Sequence, residues 1–269
     1  LTTREREQTY WANQDMRWSY NERRYKKLLQ YHPGGLLLYL YGNSGQVEHL
    51  FDLFRKVFEA IAEQGVNAEE RGYLSGIVRR VDEQYYTDEW AKCCLLLYKK
   101  ELLQKPPLCL QRLFFRHPDK MKMFLEENPS RSFDVENDYY LPEEAYQDKR
   151  AFDCWAECLY EEFPEILGYI MGKSCNGKDG AFPHEFIREF LEKQQNEKLT
   201  KAVFYGKFNS RGARIVQDGR TLYEQAKCYR AQARELRLKF PQSAKILLQL
   251  AKWMESEAQH DQLEAEIVP

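Results

Sequence analysis

The sequence contains no uninterrupted apolar stretch longer than Leu36–Tyr41, whereas a helix that crosses a bilayer needs ~20 apolar residues. No membrane span is therefore expected. The opening stretch, Leu1–Tyr10, is polar and charged, unlike a secretory signal. An excess of one charge sign is also missing. The 40 basic residues face 42 acidic ones, so no global field draws the chain toward nucleic acid. Histidine is scarce, with five residues and no pair at ligand spacing. No Ser–His–Asp arrangement, nucleophile elbow or dinucleotide fingerprint is present. These gaps argue against an enzyme and against a bound cofactor or metal. Alternating β-branched residues between turn dipeptides are missing too, which excludes a sheet-based fold.

What is present is helical. Glycine and proline number only 14 and 10, and the prolines stand mostly at segment edges. Leu, Glu, Lys, Arg and Gln, all good helix formers, are abundant. Val47, Leu50, Phe51, Phe54, Phe58 and Ile61 share one helical face. Asn43 and Ser44 precede them as capping types, and Gly65 supplies a stop. Asn67 opens a helix carrying Leu74, Ile77, Val78 and Val81. Thr87 opens another, in which Trp90, Cys94, Leu97 and Tyr98 align. Pro118, Pro164, Pro183 and Pro241 restart helices further on.

The expected fold class is all-α: antiparallel helical hairpins in an α-solenoid-like array, with a compact irregular bundle as the alternative. Residues 129–141 are expected to link an N-terminal helical lobe, 1–128, to a C-terminal helical lobe, 142–269. Phe51, Phe54, Phe58, Trp90, Leu97, Trp155, Leu159, Phe190, Leu247 and Ala251 are the expected core. The seven cysteines form an odd set and read as reduced thiols packed in a cytoplasmic protein. Leu1 stands where Met would open a chain, which suggests a fragment of a larger intracellular protein.

Several motifs touch on chemistry. Gly172–Asp179 approaches the phosphate-loop pattern, but Asp179 replaces the hydroxyl residue and no strand precedes it. A flexible surface loop is the expectation. Arg112 and His117 have the Arg, four residues, His spacing. That spacing resembles the active motif of the HEPN ribonucleases, which are helical and metal-independent. The resemblance implies acid–base roles for Arg112 and His117, and Leu113 departs from the polar residue usual after the arginine. Cys154 and Cys158 share a helix face, and core packing is expected rather than a metal site. Asp134, Glu136, Asp138, Glu143 and Glu144 lack the glycine and spacing of a calcium loop.

The C-terminal region is distinctive. Between Arg211 and Lys252 ten basic residues face three acids, a difference of seven. Arg230, Arg234 and Arg237 recur at helical spacing, flanked by Arg220 and Lys227. These five form the expected binding ridge. The Tyr229–Arg234 run, the Phe240-Pro241 hinge and the acidic tail resemble the closing helical hairpin of large bacterial multidomain proteins. That resemblance implies an α-solenoid scaffold or sensor part. The expected function is thus a non-catalytic protein-interaction or scaffold module with an unknown, acidic protein partner. A HEPN-like ribonuclease or a nucleic-acid-binding helical domain is the alternative.

Overall fold

In the computed structural model, residues 22–210 and 220–267 are described. Among them the chain is all-α, without a strand. The fourteen α-helices run in chain order as α1 (Glu22–Tyr31), α2 (Gly35–Gly42), α3 (Val47–Gln64), α4 (Ala68–Gln84) and α5 (Asp88–Lys99). Then follow α6 (Leu108–Arg116), α7 (Pro118–Glu127), α8 (Ser132–Asp138), α9 (Lys149–Tyr160) and α10 (Pro164–Gly172). The last are α11 (Glu185–Gln194), α12 (Glu197–Asn209), α13 (Arg220–Leu236) and α14 (Pro241–Ile267). No helix is long and apolar enough to cross a membrane among the described residues. The chain divides into two compact units, 1–113 and 114–269, and the division falls inside α6.

Local signals explain most helix starts. Asn67 and Glu70 make a reciprocal capping box at α4. The Thr87 hydroxyl accepts from the Trp90 amide at 3.1 Å, and Gly65 leaves α3 at a φ of 80°. Asn43 and Ser44 act differently from expectation. Their side chains donate to Tyr39 and Tyr41 carbonyls at 2.9 and 3.1 Å. They close α2, whose last carbonyls need donors, while α3 begins behind a 3₁₀ turn without a side-chain cap.

Nine of the ten expected core residues are buried, and Phe51 is half-buried at the edge of its stripe. In the first unit, Phe54, Phe58 and Trp90 pack as a ring cluster with centroids 5.5–6.1 Å apart. Asp82 is buried beneath it and accepts from Trp90 Nε1 at 2.8 Å.

In the second unit, Phe152, Trp155, Ala156 and Leu159 turn the same face of α9 inward. That choice leaves Cys154 exposed and Cys158 half-buried. The expected core packing of these two thiols is thereby corrected, because four apolar neighbours claim the inner face. Residues 129–141, expected as linker, belong to the second unit. They hold a 3₁₀ turn (Pro129–Arg131) and α8, which buries Val135.

Next-but-one helices pair extensively: α2 with α4, α3 with α5, α10 with α12. The α10–α12 crossing is the closest. Gly168 faces Ala202, and Gly172 and Gly206 face the opposite backbone so tightly that a Cβ at either would collide. Small residues four apart on each helix make that approach possible. The expected hairpin geometry is seen at α13 and α14, which pack along each other. Their buried alanines recur every seven residues, Ala226 and Ala233 on one helix, Ala244, Ala251 and Ala258 on the other. Seven-residue spacing keeps one seam facing the partner helix.

Candidate functional site

The candidate site is the outer face and tip of the α13–α14 hairpin in the second unit. Leu222, Ala226, Ala251, Met254 and Ala258 form its inner seam, flanked by Tyr223, Tyr229 and Trp253. Trp253 packs edge-on against Phe208 of α12 at 4.5 Å, which fixes α14 to the unit. Glu192 of α11 accepts from the Gln242 and Ser243 amides at 2.8 and 3.3 Å. A carboxylate there satisfies two orphan donors at the start of α14 and complements its dipole. The turn between the helices is therefore held rigidly.

The structure divides the basic ridge. Arg230 grips Glu255 of α14 through two parallel bonds of 2.7 and 2.6 Å. Those bonds hold the Glu255 carboxyl below the usual carboxylate range, and they stitch the hairpin together. Lys227 pairs with Glu224 at 2.6 Å on the same helix. Arg220 is exposed in the first turn of α13. Arg234 and Arg237 are exposed, and neither has an acidic partner among the described residues. Arg211 and Arg214 lie outside the described residues.

Around the turn, residues 234–245 hold Arg234, Arg237, Lys239 and Lys245 against Glu235 alone, a net charge of +3. At the centre stands Leu238, 89% exposed, the most exposed large apolar residue among the described residues. Lys239 lies 5.0 Å from the centre of the buried Phe240 ring, whose other contact is the Arg188 guanidinium at 5.2 Å. The tip therefore carries an exposed leucine and, within four residues of it in sequence, three exposed cations, Arg234, Arg237 and Lys239. Periodicity located the arginines and left Lys239, counted in the basic stretch, outside the ridge; Leu238 was missed, because both lie in a turn outside any helical stripe.

The loop that resembles a phosphate site has another role. Asp179, in the place of the hydroxyl residue, takes both terminal nitrogens of Arg188 at 2.7 and 2.8 Å. Arg188 is only 1% exposed. A Cβ at Gly177 would collide with that guanidinium, so glycine is required by close approach. The Lys178 amide donates to Glu185 at 3.2 Å, and Lys173 donates to the Glu136 carbonyl at 2.6 Å. Gln232 of α13 reaches the same loop, accepting from the Phe182 amide at 3.3 Å. The loop lies at the surface as expected, with Cys175, Asn176, Lys178, Asp179 and Gly180 exposed, but internal partners pin it. His184 caps α11 through Nδ1 at 3.3 Å, and burial lowers its pKa.

Arg112 belongs to the first unit, with its guanidinium 5.5 Å from the Tyr86 ring centre. His117 belongs to the second, half-buried at the residue before Pro118, where α7 begins. Two acids of the stretch are met by bases: Asp134 by Arg131 at 3.0 Å, and Glu144 by Arg116 Nε and Nη2, each at 2.9 Å. Compared with known proteins, the chain matches no family, no characterised protein and no solved structure significantly.

Proposed function

We propose that this chain is a non-catalytic protein-interaction module that docks an acidic protein segment at the tip of the α13–α14 hairpin. The observation that carries this reading is the exposed Leu238 close in sequence to Arg234, Arg237 and Lys239. A single exposed leucine is ordinary on a protein surface; what supports the reading is that it stands among exposed cations. Cations around it select an approaching surface by charge, and the leucine adds affinity that salt does not screen. An acidic segment with one apolar anchor complements both features. The seven thiols are all unpaired, which supports the reducing cytoplasm as the setting.

The test compares a fluorescent peptide of Asp and Glu around one Leu with a single-stranded RNA of equal charge, by anisotropy. The peptide is expected to bind, more weakly as salt rises, and to be lost on Arg234→Glu, Arg237→Glu, Lys239→Glu combined. Arg230 is left intact because it ties the hairpin. RNA binding that exceeds peptide binding and falls with the same triple change reassigns the tip to nucleic acid. Peptide affinity unchanged in the triple variant overturns the proposal.

A further inference from the structure

Three groups able to ligate zinc, one carboxylate and two thiols, meet in the first unit from three successive helices. Asp82 comes from the last turn of α4, Cys94 from the middle of α5, and Cys109 from the first turn of α6. All three are buried, and one carboxylate oxygen and the two sulfurs lie within 4.8 Å of one another. In a tetrahedral zinc site with metal–sulfur bonds of ~2.3 Å, donor atoms stand roughly 3.5–4 Å apart. Small side-chain movements would reach that geometry.

Asp82 is already oriented as a metal-binding carboxylate would be. One oxygen accepts from Trp90 Nε1 at 2.8 Å and the other from the Cys109 amide at 3.1 Å. Asp82 also takes hydrogen bonds from the Cys109 thiol and the Leu108 backbone, so a metal would replace the thiol proton at this carboxylate. Bonds of this kind fix ligand orientation in metal proteins. Yet Asp82 is only 7% exposed, and no cation pairs with it among the described residues. Burial without a countercharge is costly and raises its pKa. Asp82, alone of the three, also lines a cavity of about 500 Å³, bordered by Arg79, Leu103, Lys105 and Pro107.

We infer that Asp82, Cys94 and Cys109 form a binding site for a zinc-class divalent cation, with water or a donor group from the adjoining cavity as fourth ligand. Two thiolates and one carboxylate are a borderline-soft donor set, which suits zinc over calcium or magnesium. Zinc is held by thiolates, so each thiol gives up its proton on binding. Binding therefore releases two protons to solvent, one from each sulfur, and the ion and three anionic donors carry a net charge of −1. Metal affinity accordingly rises with pH.

The test uses the reduced, chelator-treated full chain titrated with Co²⁺, a spectroscopic substitute for zinc. One equivalent is expected to produce a near-ultraviolet thiolate-to-cobalt band that Zn²⁺ then removes. Cys94→Ala and Cys109→Ala should each abolish the band, whereas Cys154→Ala and Cys228→Ala, at exposed thiols, should retain it. Zn²⁺ should raise the melting temperature of wild type and of Cys228→Ala but not of Cys94→Ala. A folded wild type that shows no such band overturns the inference, and this result does not depend on any variant folding. A band that survives Cys94→Ala combined with Cys109→Ala assigns the metal to surface thiols and overturns it equally.

Discussion

Replacing Asp179 by Asn tests how the loop before α11 is held. Arg188 has a side chain only 2% exposed, while the Asp179 carboxylate is 53% exposed. Both terminal nitrogens of the guanidinium spend their bonds on that carboxylate, and Arg188 Nε is buried without a partner. Removing one member of a buried pair costs about 3–5 kcal/mol, because the remaining charge stays uncompensated. Asp179 borders water, so solvent recovers part of that loss, and Asn keeps one acceptor oxygen. A cost of about 2–3 kcal/mol follows. For a unit of this size, each kcal/mol shifts the melting temperature by roughly 2–4 °C, which predicts a fall of about 4–12 °C. Far-UV circular dichroism melts at pH 7 measure it. Adding Arg188→Met to the Asn variant should recover part of the loss, since the stranded charge is then gone. The sign with pH is also set. Hydrogen bonds from Arg188 hold the Asp179 carboxyl below its ordinary value. Its contribution is therefore full above about pH 4, the unfolded value, and is lost as pH falls through the lower folded value. The gap between wild type and variant must close on acidification. Equal melts at pH 7, or a gap that widens in acid, would refute the role given to this pair.

Two further outcomes follow from burial. Trp155 is fully buried, with its ring 6.2 Å from Phe115 and 5.9 Å from Phe152; Trp155→Ala should cost about 3–5 kcal/mol in urea unfolding, and an unchanged midpoint would show that α9 is misassigned. Burial pushes the Lys173 amine down to about 7, against the opposing pull of Asp138 and Glu136. Between about pH 7 and pH 10 the unfolded chain holds a proton there that the folded chain lacks, so stability should rise with pH across that window. Lys173→Met should remove that part of the rise, read as the wild-type minus variant difference in urea midpoints from pH 6.5 to 10.

The sequence by itself determined the all-α class, the positions of most helix starts, and nine of the ten residues expected in the core. These are local properties. A stripe such as Phe152, Trp155, Ala156 and Leu159 is written at helical spacing, and Asn67 or Thr87 caps a helix with atoms three residues away. Tertiary structure alone decided which groups meet. Asn43 and Ser44 had two helix ends within reach, and only the folded chain shows them closing α2. Arg230 and Arg234 look alike in sequence, yet Glu255 arrives from the neighbouring helix to neutralise the first and leaves the second in water. Gly172–Asp179 reads as a mobile loop until Arg188 is seen buried against it. Asp82, Cys94 and Cys109 carry no spacing signal, because their three helices converge only when Trp90 and its ring cluster pack. Periodicity encodes which face of a helix turns inward, and packing between helices decides which side chain that face meets there.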